Sequence, residues 1–170
     1  DVGRLSLDTE HRLVFINGHF ASDFSTVGNL PKSVVCGSLA SSVRSSDPNV
    51  LSFLARQVKI DETPFVSLNT AFLQDGAFIY VPDGTILEEP IQLLFIASGN
   101  ESFLVSPRNL VIAGKRSRVS IVETYVSLTH HSYLTNAVTE VVAGDESVIE
   151  HDKLQNESLK AFHVAMIQTK

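Results

Sequence analysis

Beyond Gly76 the chain reads as short apolar runs separated by turn residues. Residues 78–81, 91–97, 110–113, 118–126, 133–142, 147–154 and 159–167 each have the length and composition of a β-strand. Within several of them the parity is visible. Val119, Ile121 and Glu123 alternate with Ser120, Val122 and Thr124, and Phe162, Val164 and Met166 alternate with His163 and Ala165; a period of two marks a half-buried strand. The joining turns repeat as well. Pro82-Asp-Gly84, Ala113-Gly114-Lys-Arg-Ser117 and Ala143-Gly144-Asp-Glu-Ser147 each follow an apolar strand end, and Gly84, Gly114 and Gly144 stand thirty residues apart both times. A fixed period of that size points to stacked β-coils, a solenoid or a propeller. The lack of helical patterns between the strands excludes a βαβ sheet, and no hexapeptide repeat of the left-handed kind is present.

Before Gly76 the pattern is different. Arg12-Leu-Val-Phe-Ile16, Asn17-Gly18 and His19-Phe20 form a hairpin signature, because both turn positions need a positive φ that Asn and Gly tolerate. Residues 21–46 are rich in Ser, Gly and Asn and read as loop, with a brief strand at Val34-Val35-Cys36. Asp47-Pro48 opens a helix, Asp as N-cap and Pro at the first helical position, with Val50, Leu51, Leu54 and Val58 on one face. A second short helix is expected from Ser67, with Leu68, Ala71 and Phe72 at helical spacing and Gly76 as its stop. The division this suggests is a cap of residues 1–66 and a β core of residues 67–170.

Composition narrows the function classes. A net charge of −6 disfavours nucleic acid as a partner, since phosphate neutralisation needs a Lys/Arg surplus on some face. Lys115, Arg116 and Arg118 cluster, but on one turn. The single cysteine, Cys36, removes any internal disulfide framework or CxxC motif. The longest apolar stretch, Ile91 to Ala97, contains Gln92 and is too short to cross a bilayer. The chain opens Asp1-Val2-Gly3 with no long apolar run behind it, so a reducing, cytoplasm-like compartment is expected. The missing initiating Met points to a fragment or a processed chain.

Candidate chemistry is sparse. His130 and His131 are adjacent and would face opposite ways in a strand. His151 follows Glu150 in one strand and His163 lies in the next, so the two histidines approach each other only if those strands stack. Glu123 and Glu150 are a conceivable acid–base pair, although carboxylates on successive coils are expected to point outward into water. Gly114-Lys-Arg-Ser117 lacks the earlier glycine and the following helix of a phosphate loop. Cys36, among Val34, Val35 and Leu39, reads as a small buried hydrophobe. No nucleophile–base–orienter set is visible, and no catalytic, cofactor-binding or metal-ligating residue is assigned.

Several segments nevertheless resemble a known family. Arg12-Leu-Val-Phe-Ile-Asn-Gly18, Leu68-Asn-Thr-Ala-Phe72, Asp75-Gly-Ala-Phe-Ile-Tyr-Val-Pro82, Pro90-Ile-Gln-Leu93, Val119-Ser-Ile-Val-Glu-Thr-Tyr125, Val148-Ile-Glu-His-Asp-Lys-Leu-Gln155 and Ala161-Phe-His-Val-Ala165 resemble, in order, the SufB/SufD family, the SufD side more than the SufB side. The resemblance implies a mainly β chain, a right-handed parallel β-helix with a small N-terminal hairpin and helix cap. It also implies a non-catalytic scaffold of SUF iron–sulfur cluster assembly, working with SufB-like and SufC-like subunits, the latter the ATPase. The family's cluster-related Cys and His positions lie further along the β-helix, so no functional residue is carried over, and a cluster is expected only in the full complex. Cytoplasm, or plastid stroma for a plant source, is the implied compartment.

Two other classes stay open: a carbohydrate-active β-helix enzyme, which would need clustered Asp, Arg and Lys across neighbouring coils, and a metal-binding β barrel. The apolar strand next to Lys170 adds one expectation. An open solenoid end wets its inward side chains, at roughly 1.5–3 kcal/mol each, so the chain is expected to continue, or this end to pack on another copy.

Overall fold

The computed structural model describes residues 2–58 and 63–170. From Ala77 onward the chain winds as a parallel β-solenoid of about three coils, as the alternating runs and recurrent turns predict. Each coil contributes one strand to each of two facing sheets. The first sheet stacks β1 (His11–Ile16), β6 (Ile91–Ala97), β9 (Arg118–Ser127) and β11 (Val148–Asn156), with β2 (His19–Phe20) and β3 (Thr26–Val27) antiparallel to β1. The second stacks β4 (Val35–Ser38), β5 (Ala77–Val81), β8 (Arg108–Ala113), β10 (Tyr133–Ala143) and β12 (Ala161–Thr169), with β7 (Phe103–Val105) beside β10.

The register carries the thirty-residue period directly: Ile91 pairs with Ile121, and Ile121 with His151. The turns keep it. Gly84 N donates to Lys115 O, Gly114 N to Val81 O and Gly144 N to Ala113 O, so the three glycine turns lie one above another. Side chains of like parity therefore form columns inside the solenoid. One runs Leu13, Leu93, Glu123, Lys153; its neighbour runs Phe15, Phe95, Tyr125, Gln155. The early members belong to one apolar core with Ile79, Val81, Ile91, Val111, Val119, Ile121 and Val141. Each such side chain, withdrawn from water, stabilises by about 1.5–3 kcal/mol.

The N-terminal segment is more ordered than its composition suggests. Within the stretch expected as loop, α1 (Leu39–Arg44) forms because the Ser38 side chain caps it, accepting from Ser41 N. α2 (Pro48–Phe53) starts where expected, with Asp47 accepting from Asn49 N and Val50 N. It ends sooner, and of the anticipated face Val50 is buried while Leu51 is exposed. α3 (Pro64–Ala71) begins before Ser67, because Thr63 is the cap and Pro64 the first helical residue. α1 and α2 cover the outer face of the second sheet, where Leu39 and Val50 pack on Phe78, Leu110 and Ile112. None of the described helices is long and apolar enough to cross a membrane.

Candidate functional site

The interior column that starts with Leu13 and Leu93 continues with Glu123, whose side chain is wholly buried. A carboxylate in an apolar interior is costly unless donors surround it, and here they do. Thr139 Oγ1 donates to its Oε1 at 2.7 Å and Asn109 Nδ2 at 3.2 Å, both from the opposite sheet. Tyr125 OH donates to Oε2 at 2.9 Å. His151 Nε2 stands 3.0 Å from Oε1 and Lys153 Nζ 3.5 Å from Oε2, both from the next coil. Burial alone would raise the Glu123 carboxyl, but the adjacent His151 imidazole, the Lys153 charge and the Thr139 hydrogen bond outweigh it and bring it down to about 2. The expectation of an outward, solvated Glu123 is therefore wrong: its parity with Val119 and Ile121 turns it inward. Glu150 does face solvent, paired with Arg118 at 3.1 Å and accepting from Ser120 Oγ at 2.6 Å.

A second carboxylate, Glu157, reaches back from the turn between β11 and β12. It accepts from Tyr133 OH at 3.0 Å and Thr135 Oγ1 at 3.1 Å, and its Oε2 lies 2.7 Å from His163 Nδ1. Burial pushes its carboxyl up and the His163 hydrogen bond and charge pull it lower, with a net downward shift. Tyr125 joins the two groups. Its ring stacks on Phe95 at 4.7 Å, meets His163 edge-on at 4.7 Å, and lies 5.2 Å from Lys153 Nζ. Its own hydroxyl is held well above the usual phenol range, first by burial and then by the Glu123 charge.

The strands of His151 and His163 do not stack on one another: β11 lies on β9 and β12 on β10, in facing sheets. Each histidine goes to its own carboxylate, and Tyr125 stands between the two pairs. Cys36 lies against the main core, and burial pushes its thiol up to about 12, a poor thiolate at neutral pH. Lys115 pairs with Asp145 at 3.0 Å on an exposed turn. Among the described residues no three His, Cys, Asp or Glu side chains converge as metal ligands do. What the arrangement can do is tie neighbouring coils and the two facing sheets together through Glu123 and Glu157.

A different buried charge pair fastens the N-terminal segment to the solenoid. Arg108 Nε donates to Glu140 Oε1 at 2.9 Å, and the same carboxylate accepts from Ala55 N at 2.9 Å and Gln57 N at 3.0 Å. Asn69 of α3 donates to Pro107 O and Asn136 O, at 2.9 Å and 2.8 Å, and accepts from Arg108 Nη1 at 3.2 Å. Sequence reasoning did not single out Arg108, Glu140, Tyr125 or Glu157. The signal available for Arg108 and Glu140 was the thirty-residue period, which places 108 beside 138 and thus near 140.

Comparison with known proteins accords with this architecture. Residues 2–93 match the family description "SufBD protein N-terminal region", and residues 95–170 match "SUF system FeS cluster assembly, SufBD core domain". An iron–sulfur cluster assembly SufBD family protein of Synechocystis is 30% identical over 165 residues, covering 92% of this chain and 36% of the relative. SufD of Bacillus subtilis is 30% identical over 105 residues, 61% of this chain and 24% of the relative. A chloroplastic SufBD family protein of Arabidopsis thaliana is 30% identical over 127 residues, 72% of this chain and 22% of the relative. The chain thus spans about a third or less of the length of these relatives.

Proposed function

We propose that this chain, which belongs to the SufBD family, serves iron–sulfur cluster assembly as a non-catalytic scaffold of the SufD kind, partnered by a SufB-like subunit and a SufC-like ATPase. The observation that carries the reading is the ordered match of both family regions across nearly the whole chain. The interior chemistry supports it. Glu123 and Glu157 are each engaged by several donors, an arrangement that spends the carboxylates on holding coils together. The cluster is then cargo of the complete assembly. The compartment proposed is the cytoplasm, or a plastid stroma if the source is a plant, as the name of the Arabidopsis relative suggests for that protein.

The test is co-expression of the tagged chain, at its native length, with SufB-like and SufC-like subunits. The expected result is stoichiometric co-purification, with ATP hydrolysis confined to the SufC-like partner. Failure to associate with either subunit sinks the proposal.

A further inference from the structure

β3 is only two residues long. It pairs with β1 through His11↔Val27 and Arg12↔Thr26, and both of its residues are exposed. The chain just after it is fastened by Gly28, whose N–H donates to Glu10 O at 3.0 Å and to His11 Nδ1 at 3.2 Å. A backbone N–H can only donate, so Nδ1 is the bare nitrogen of a neutral imidazole whose proton is on Nε2. His11 has the inward parity of Leu13 and Phe15 and is 6% exposed. Gly28 fits closely against both partners: a Cβ there would stand 2.6 Å from Glu10 Oε2 and 3.3 Å from His11 Cε1. Two residues on, Leu30 packs against the main core.

We infer that His11 is an acid-released latch for residues 26–31: the neutral imidazole holds Gly28 against β1, and the protonated ring lets it go. A second proton on the ring makes Nδ1 a donor. Two donors then face each other at 3.2 Å, where an N–H···N bond stood, and the ring and the Gly28 amide must part. The charged groups that face the ring are few. Glu10 comes from its own strand, and Glu88 and Glu89 come from the segment before β6, in a recess that Asn29, Leu30 and Pro31 complete without a charge. Arg12 has the opposite parity on β1. The three carboxylates are the counter-charges an imidazolium finds once it turns from Gly28. Histidines change charge between about pH 5 and pH 8, so the latch is closed on the alkaline side of that window and opens as pH falls through it. Release detaches β3 and takes Leu30 off the edge of the core. This conclusion goes beyond the scaffold reading and does not depend on which partners the chain has.

The test is amide hydrogen exchange in the native-length chain at the two ends of that window, about pH 8 and about pH 5, read as protection factors so that the intrinsic pH dependence of exchange cancels. Protection of the Gly28 amide is expected to fall about tenfold or more on acidification, while the amides of β6 keep theirs. In His11→Gln the side-chain carbonyl accepts from Gly28 at either pH, so protection is expected to stay and its pH dependence to vanish. His11→Phe offers no acceptor and is expected to leave Gly28 poorly protected at both. A measurement on the unaltered chain stands apart from how the variants fold: the ¹⁵N spectrum of the His11 ring at the alkaline end is expected to show Nδ1 bare and Nε2 protonated. A proton on Nδ1 there overturns the inference. So does equal Gly28 protection at both ends, or an equal fall in His11→Gln, which assigns the effect to the carboxylates instead of the imidazole.

Discussion

Arg108 and Glu140 meet at 2.8 Å with side chains 2% and 0% exposed, and the carboxylate also receives two backbone N–H groups from residues 55 and 57. One side chain thereby joins β8, β10 and the N-terminal segment. Glu140→Ala would leave the guanidinium buried and unpaired and both amides without an acceptor. Removing one partner of a buried pair costs about 3–5 kcal/mol. The expected outcome is a loss of unfolding free energy of that size in urea denaturation, with faster proteolysis near Ala55. Retention of the wild-type midpoint would show that the pair does not anchor the segment.

Glu123 sets an acid limit on stability. Its carboxyl is held at about 2 in the folded chain against an ordinary value of 4.5, so its contribution is present above the unfolded value and is lost as pH falls from about 4.5 towards 2. At 1.36 kcal/mol per unit this amounts to about 3 kcal/mol. Thermal melts between pH 2 and pH 7 should show this loss in the wild type. In Glu123→Gln the melting temperature should be lower at pH 7 and flatter through the acid range.

Tyr125→Phe separates the hydroxyl from the ring. The stack on Phe95 is kept and the hydrogen bond to the buried carboxylate is lost. A hydrogen bond to a charged group is worth about 1.5–3 kcal/mol, and chemical denaturation should report a loss in that range. Wild-type stability in this variant would mean that Thr139, Asn109 and the next coil suffice for Glu123.

The stacked turns leave no room for a Cβ at Gly114, where it would stand 2.4 Å from Asp83 Oδ1 and 2.5 Å from Asp83 N. Gly114→Ala is therefore expected to destabilise by about 1–3 kcal/mol. Gly37→Ala, with nothing within 4 Å of the added atom, serves as the near-neutral comparison. Equal midpoints for the two variants would argue against the stacking of these turns.

Much of the solenoid was legible because a half-buried strand writes its parity locally. Val119, Ile121 and Glu123 share parity, and that alone turns Glu123 inward; the expectation that a charged residue faces water overrode a pattern that was present. Thr63-Pro64 carries the same cap signature as Asp47-Pro48, a capping side chain followed by Pro at the first helical position, and its Thr63 caps α3 four residues before Ser67. The hairpin turn at Asn17-Gly18 was legible for the opposite reason. Positive φ at both residues, 51° and 83°, is a demand that few residue types meet. His151 and His163 were harder. Their separation in sequence does not say that a coil delivers them to facing sheets, nor that Glu157 reaches back from a turn to meet one of them. The Arg108–Glu140 pair depends on a register between coils that local composition does not encode.

The measurement that tests the scaffold assignment most directly is association of the native-length chain with its predicted partners. The account predicts a stable complex of the chain with SufB-like and SufC-like subunits on size-exclusion chromatography, and loss of iron–sulfur enzyme activity in cells lacking the chain. A chain that elutes free of both subunits, in cells whose iron–sulfur enzymes are unaffected by its loss, would contradict it.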